Sequence, residues 1–342
     1  MFAPLSGCNL VLIDPAGDVA MQQRNLLLIS TGLMLLIIVP VIAMTLIFAW
    51  RYRASNRDAI YEPDWDHSTK IELMIWSAPL VIIICLGALT WVGTHVLDPY
   101  RPIARIDATH PVPAGTKPLR VEVVALDWKW LFIYPDLGIA TVNELAAPAG
   151  TPIDFRLTSS SVMNSFFVPA LAGQIYAMPA METQLHAVLN RPGEYTGISA
   201  NYSGAGFSGM HFPFHGLAPA DFTKWVANVK AGGGSLDRAG YTKLAVPSEN
   251  VAPIRFATVD PTLYEAVLNF CVEPGKACIA DTMMRDAKGG SGRAGLSIDP
   301  KTLQHDGDGP RGAFFQHATE TPSLPDAAAT KPSPAVAPAA KS

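Results

Sequence analysis

Residues 25–50 read NLLLISTGLMLLIIVPVIAMTLIFAW, with no Asp, Glu, Lys or Arg among them. At about 1.5 Å per residue, a helix of this length outreaches the roughly 30 Å hydrocarbon core of a bilayer. Leu73 to Leu97 is a second charge-free stretch of the same kind. A helix satisfies its backbone hydrogen bonds internally, as hydrocarbon demands, so both stretches are predicted to be transmembrane helices. Pro40 and Pro79 lie inside them, a position that membrane helices tolerate. Trp50, Tyr52, Trp76 and Trp91 lie near the ends, as an interfacial aromatic belt does. A buried soluble hairpin is the alternative, and the charge-free length weighs against it.

Between the stretches, RYRASNRDAIYEPDWDHSTK carries Arg51, Arg53, Arg57 and Lys70, whereas the outer flanks hold fewer basic residues and include Asp14, Asp18 and Asp98. The positive-inside rule puts this loop in the cytoplasm and both termini on the far side. A net charge of −4 offers no basic field for nucleic acid. Leu5-Ser6-Gly7-Cys8 reads as a lipobox, but only seven residues precede Cys8. Either a fuller signal lies upstream and Cys8 is lipidated, or Cys8 is a free thiol. Cys85 falls within the second span, where a small apolar role suits it. Cys271 and Cys278, in FCVEPGKAC, are close enough to bridge, and nothing in the spacing decides whether they do.

Downstream, a Pro-rich connector leads into LRVEVVALDWKWLFIYPD, TPIDFRLTSS, VMNSFFVPA, METQLHAVL and GEYTGIS. These are short strand candidates separated by Gly, Pro and Asn, and together they predict an antiparallel sandwich. Gly232-Gly233-Gly234-Ser235 reads as a flexible joint. Beyond it, Leu263, Ala266, Val267 and Phe270 are spaced for a short amphipathic helix. The expected organisation is an N-terminal lipobox segment (1–24), helix 1 (25–50), a cytoplasmic loop (51–71), helix 2 (72–97) and a linker (98–118). A β-sandwich (119–231), an aromatic-rich C-terminal extension (232–317) and a disordered Ala/Pro-rich tail (318–342) follow.

From Pro192 the chain reads PGEYTGISANYSGAGFSGMHF. This resembles the copper-binding loop of subunit II of the haem–copper oxidases, Cys-x3-Cys-x3-His-x2-Met after a Pro-Gly turn. Laid on this chain, the pattern falls on Ser199, Ser203, Phe207 and Met210, and the upstream histidine position falls on Asn164 in VMNSFFVP. DWKWLFIYP and QIYAMPAM extend the resemblance, which runs from about Cys8 to about Val272. It implies a cupredoxin-like fold for the sandwich, so the expected class is an α+β membrane protein with a two-helix hairpin, a sandwich and a short helical extension. A dinuclear copper centre needs bridging thiolates and imidazoles. No cysteine lies between Cys85 and Cys271, so no metal is expected in the sandwich. Within the family, that departure marks the bo-type quinol oxidases.

The resemblance implies a subunit of a proton-pumping ubiquinol oxidase in the bacterial inner membrane, with the sandwich and both termini periplasmic. Haems, the oxygen-reducing copper and the quinol site would belong to subunit I, the main partner, beside subunits III and IV and membrane lipid. This chain would bind no cofactor and carry no catalytic residue. Glu72, in Ile71-Glu72-Leu73-Met74-Ile75-Trp76, matches a family carboxylate at the mouth of a proton-uptake path. The competing explanation is a capping box, Thr69-x-x-Glu72. Trp128 and Trp130 match an aromatic pair at the electron-entry surface, and without copper beneath them they read as packing residues. The alternatives are a cytochrome c oxidase subunit with a diverged copper site, or a lipoprotein for oxidase assembly or copper delivery using residues such as His186, His211, His215, Met178 and Met181. Ser203 and His211 lack the motif of a hydrolytic site.

Overall fold

The computed structural model describes residues 11–60 and 62–288. Cys8, the end of the C-terminal extension from residue 289 and the tail at 318–342 lie outside the described residues. Helix α1 (Asp18–Arg51) has 34 residues and α2 (Thr69–Val96) has 28. At about 1.5 Å per residue both are long enough to cross a bilayer, and both are apolar enough. Asp18 to Arg24 form a polar stalk on α1 above the charge-free stretch. The expected capping box is absent: the N-cap of α2 is Ser68, and Thr69 is already helical. Thr69 instead meets His67, its Oγ1 3.1 Å from Nε2.

The sandwich is built from β1 (Leu119–Leu126), β2 (Lys129–Tyr134), β3 (Ile139–Val142), β4 (Leu145–Pro148) and β5 (Pro152–Ser159). It continues with β6 (Asn164–Phe167), β7 (Ile175–Ala177), β8 (Thr183–Val188), β9 (Gly193–Ser199) and β10 (His211–Leu217). Helix α3 (Pro219–Gly232) closes it, followed by β11 (Gly234–Leu236), α4 (Arg238–Leu244), β12 (Ile254–Val259), α5 (Leu263–Leu268) and α6 (Ile279–Ala287). One sheet runs β11-β12-β3-β2-β1-β5-β8 and the other β4-β10-β9-β6-β7. The sheets are mixed, a correction to the purely antiparallel expectation. β1 pairs β5 in parallel, Val121 against Phe155, and β10 pairs β4 in parallel, Phe214 against Leu145. Both pairs join strands distant in sequence, where a crossover rather than a hairpin sets the direction.

Side-chain alternation explains the unbroken apolar run Trp130-Leu131-Phe132-Ile133-Tyr134. Trp130, Phe132 and Tyr134 face the space between the sheets, while Leu131 and Ile133 face the opposite side. A strand buried on both faces reads as continuous rather than alternating. Between the sheets, Phe166 stacks on Phe212 and meets Trp130 edge-on. On the outer face, Leu236, Tyr241, Leu263, Tyr264 and Val267 cover Val124, Leu126, Leu131 and Ile133.

That second core overturns the flexible joint. Gly234 to Leu236 is strand β11, paired with β12, and β12 pairs β3 with Phe256 against Ala140. The extension is thus stitched into the sandwich. Polar clamps support the seam. Arg255 donates to both carboxylate oxygens of Glu144 at 2.8 and 2.7 Å, and Trp225 Nε1 donates to Oε1 at 3.1 Å. Burial alone would raise the Glu144 pKa, but these donors outweigh it and hold the carboxyl below its ordinary range. Lys129, almost wholly buried, donates to Val246 O at 2.8 Å and Ser248 Oγ at 2.6 Å. Cys271 and Cys278 form a disulfide between α5 and α6.

Candidate functional site

The five positions of the metal pattern converge at one end of the sandwich. Asn164 opens β6 and Ser199 closes β9, adjoining strands of one sheet. Ser203, Phe207 and Met210 follow in a loop that makes a 3-10 turn at Ala205–Gly209. Ser199 Oγ donates to Asn164 Oδ1 at 3.2 Å, and Ser199 N donates to Met210 O at 2.9 Å. Ser203 Oγ sits 3.4 Å from Met210 Sδ, and the Phe207 ring packs edge-on against Tyr202. Asn164, Ser199 and Met210 are all buried.

This donor set does not fit a dinuclear copper centre. Two hydroxyls stand where the bridging thiolates would be and an amide and a phenyl ring where the imidazoles would be, leaving the Met210 thioether alone of the set. The Asn164 amide oxygen is already engaged by Ser199. Among the described residues, no group of three or more His, Cys, Asp or Glu could hold a metal ion. His186 lies on β8 beside Asp154 (3.7 Å), and His215 lies on β10 between Glu144 and Glu194. The histidines are therefore dispersed rather than gathered.

Trp128 takes a left-handed backbone (φ 65°) in the β1–β2 turn, which lays its indole over the loop. Its Nε1 donates to Ser203 O at 3.1 Å, and a Cβ on Gly206 would come within 2.5 Å of the ring. Trp130 is fully buried between the sheets. Both tryptophans hold the loop and core in place, as the packing reading expects.

At the other end of the molecule, Glu72 lies in the first turn of α2. Its side chain is half exposed, and Oε1 lies 2.7 Å from His67 Nδ1. No sequence pattern marks His67 as its partner, because the contact depends on how the loop turns into the helix. A cavity of about 240 Å³ separates the outer helix ends from the sandwich, lined by Asp18, Gln22, Arg105, Gln174 and His186 among others. There Arg105 Nε donates to the buried Asp18 at 2.9 Å. Eighty-seven positions separate these two residues, and no local pattern announces the pair.

Comparison with known proteins agrees with this geometry. Residues 137–215 match the family described as the periplasmic domain of cytochrome c oxidase subunit II, and residues 230–275 match the COX aromatic-rich motif. Subunit 2 of the cytochrome bo(3) ubiquinol oxidase of Pseudomonas putida is 54% identical over 78% of this chain and 82% of its own length. Ubiquinol oxidase subunit 2 of Acetobacter aceti is 51% identical over 77% and 83%. A solved periplasmic domain of cytochrome oxidase subunit II from Bradyrhizobium japonicum is 22% identical, covering 35% of this chain and 97% of that one, with a TM-score of 0.33. The fold and the loop define the class as subunit II of the haem–copper oxidases, and within it the chain belongs to the ubiquinol oxidase subunit 2 family. The complex it serves is an oxidoreductase that uses ubiquinol.

Proposed function

We propose that this chain is the non-redox subunit of its oxidase: it seats and caps the cofactor-bearing subunit and feeds protons to it. The observation that carries this reading is the cluster of buried Asn164, Ser199 and Met210 with half-buried Ser203, intact as a scaffold and without a copper donor set. A quinol reaches its oxidase from within the membrane, so no electron relay through the periplasmic sandwich is needed. Haems, the oxygen-reducing copper and the quinol pocket then belong to subunit I, against which the helix pair packs. Subunits III and IV complete the assembly. In support, both helices leave apolar side chains such as Leu36, Leu73, Trp76 and Trp91 exposed along most of their length. The orientation has the basic loop in the cytoplasm and the sandwich and both termini in the periplasm, with lipid on Cys8.

Glu72 then stands at the cytoplasmic mouth of α2. A half-exposed carboxylate at a membrane boundary exchanges protons with water and passes them to a polar path in a neighbouring subunit. The His67 imidazole at 2.7 Å gives it a second proton-exchanging group. Glu72→Gln is expected to slow quinol-driven oxygen reduction by about tenfold, within the range for loss of a proton-transfer group, with haem content unchanged. Wild-type turnover in that variant would remove the proton role. Labelled fatty acid should enter the wild-type chain and not Cys8→Ser; an unlabelled wild type would refute the lipid anchor.

A further inference from the structure

The chain just before α1 turns back toward the membrane. Residues 14–17 are pinned to the sandwich: Ala16 N and Gly17 N both donate to Ala170 O at 2.8 Å, and Asn190 N donates to Ala16 O at 2.8 Å. Arg191 Nη2 donates to Asp14 Oδ1 at 2.8 Å and to Pro15 O at 3.1 Å. Gly17 threads past Leu171 so closely that a Cβ would meet its carbonyl oxygen at 2.2 Å. From this pinned corner α1 descends through its stalk. Asp18 to Arg24 lowers the chain by roughly 9 Å at 1.5 Å per residue. The preceding turn descends beside it, because Arg24 Nη1 donates to Ile13 O at 3.1 Å.

That bond fixes a depth. Arg24 is the last charged residue before the charge-free stretch that begins at Asn25, so it marks the membrane–water boundary. Ile13 O lies within an arginine side chain's reach of this boundary, and Val11, Leu12 and Ile13 have 46%, 56% and 46% of their surface exposed. They adjoin the outer end of α1, where Leu27 and Leu28 are likewise exposed. An apolar turn held in water at that height would waste its burial, whereas the headgroup–acyl boundary accommodates it.

We infer that Val11–Leu12–Ile13 is an interfacial membrane anchor, a rigid apolar turn that dips into the outer leaflet beside α1. Together with α1 it gives the sandwich two attachment points and thereby sets its tilt on the bilayer. The inference rests on the membrane-spanning reading of α1 and is independent of lipid on Cys8, since Arg24, Arg191 and the Ala16–Ala170 bonds hold the turn in place.

The test is spin-label accessibility in the intact oxidase reconstituted in lipid vesicles. The chain holds four cysteines, and two of these are bridged to each other, so Cys8→Ser with Cys85→Ser leaves no free thiol. Into that background go Leu12→Cys, Leu36→Cys within the span, and Lys224→Cys, an exposed position on α3. Oxygen is expected to relax the Leu12 label several-fold more than a water-soluble nickel chelate does, with the opposite order at Lys224. A Leu12 label relaxed chiefly by nickel, or one shielded from both agents by another subunit, overturns the anchor. If the Leu36 label is also open to nickel, the membrane-spanning reading has failed. If it is closed to nickel, only the anchor has.

Discussion

Glu122 is a carboxylate placed where water is scarce. It lies on β1 with 7% of its surface exposed, and it pairs with Arg120 Nη2 at 3.1 Å. Burial is the largest influence and pushes its pKa up to about 7, with Arg120 opposing and Glu265 and Glu182 adding to the rise. A carboxyl whose pKa is raised in the folded state binds its proton more tightly there than in the unfolded chain. Its contribution to stability is therefore complete below the unfolded value and is lost as pH rises through the folded one. Glu122→Gln keeps the shape and removes the charge. The variant is expected to be more stable than wild type by roughly 1–3 kcal/mol near pH 8, and so to unfold at a higher temperature there, and to match it near pH 4. Parallel Tm–pH curves for the two proteins would show that burial does not control this group. Among single residues, the metal-loop positions were the most legible in the sequence, because their spacing survives although their chemistry does not. Asn164 and Ser199 do meet. Glu122 and Lys129 were opaque, since what buries them is supplied by residues more than a hundred positions away, such as Val246 and Tyr264.

Among elements, β12 decides whether the C-terminal extension is an appendage or part of the sandwich. Its pairing with β3 is backed by Arg255, which holds Glu144, a carboxylate with a side chain only 3% exposed. Removing one partner from a buried ion pair leaves a charge without compensation. Here Arg255 is 43% exposed and Trp225 still donates to Glu144, so Arg255→Met is expected to cost about 1–3 kcal/mol, and a Glu144→Gln, Arg255→Met double variant to recover part of that loss. Calorimetry of the purified complex measures both, and equal loss in single and double variants would count against the clamp. The helices were legible because absence of charge over a bilayer's width has few structural meanings. The strands were legible because alternation encodes faces. Neither pattern encodes neighbours, which is why the parallel pairs β1–β5 and β4–β10 were not anticipated. Gly232 to Ser235 misled for a related reason: its composition suits a linker, and only the edge offered by β12 turns part of it into strand β11. Likewise Thr69 carries the sequence of a cap, but the cap position falls one residue earlier, on Ser68, and Thr69 is the first residue of the helix.

At the scale of the whole molecule, the proposal is that a chain resembling an electron-transfer subunit serves as a support. In that proposal two apolar helices provide the seat and the sandwich, covered by the extension on the outer face of its larger sheet, provides the cap. The loop at the metal-pattern positions is packed, with Trp128 laid over it and Ser199 bonded to Asn164. Electrons that enter from a membrane quinol need no path through such a domain. The most direct test of this account is oxygen uptake by the intact complex, purified through this chain, with ubiquinol or reduced cytochrome c as the sole donor. Rapid uptake is expected with ubiquinol and none above background with cytochrome c. Sustained uptake driven by cytochrome c alone would contradict it, because electrons would then be crossing a sandwich that has no metal donors to carry them.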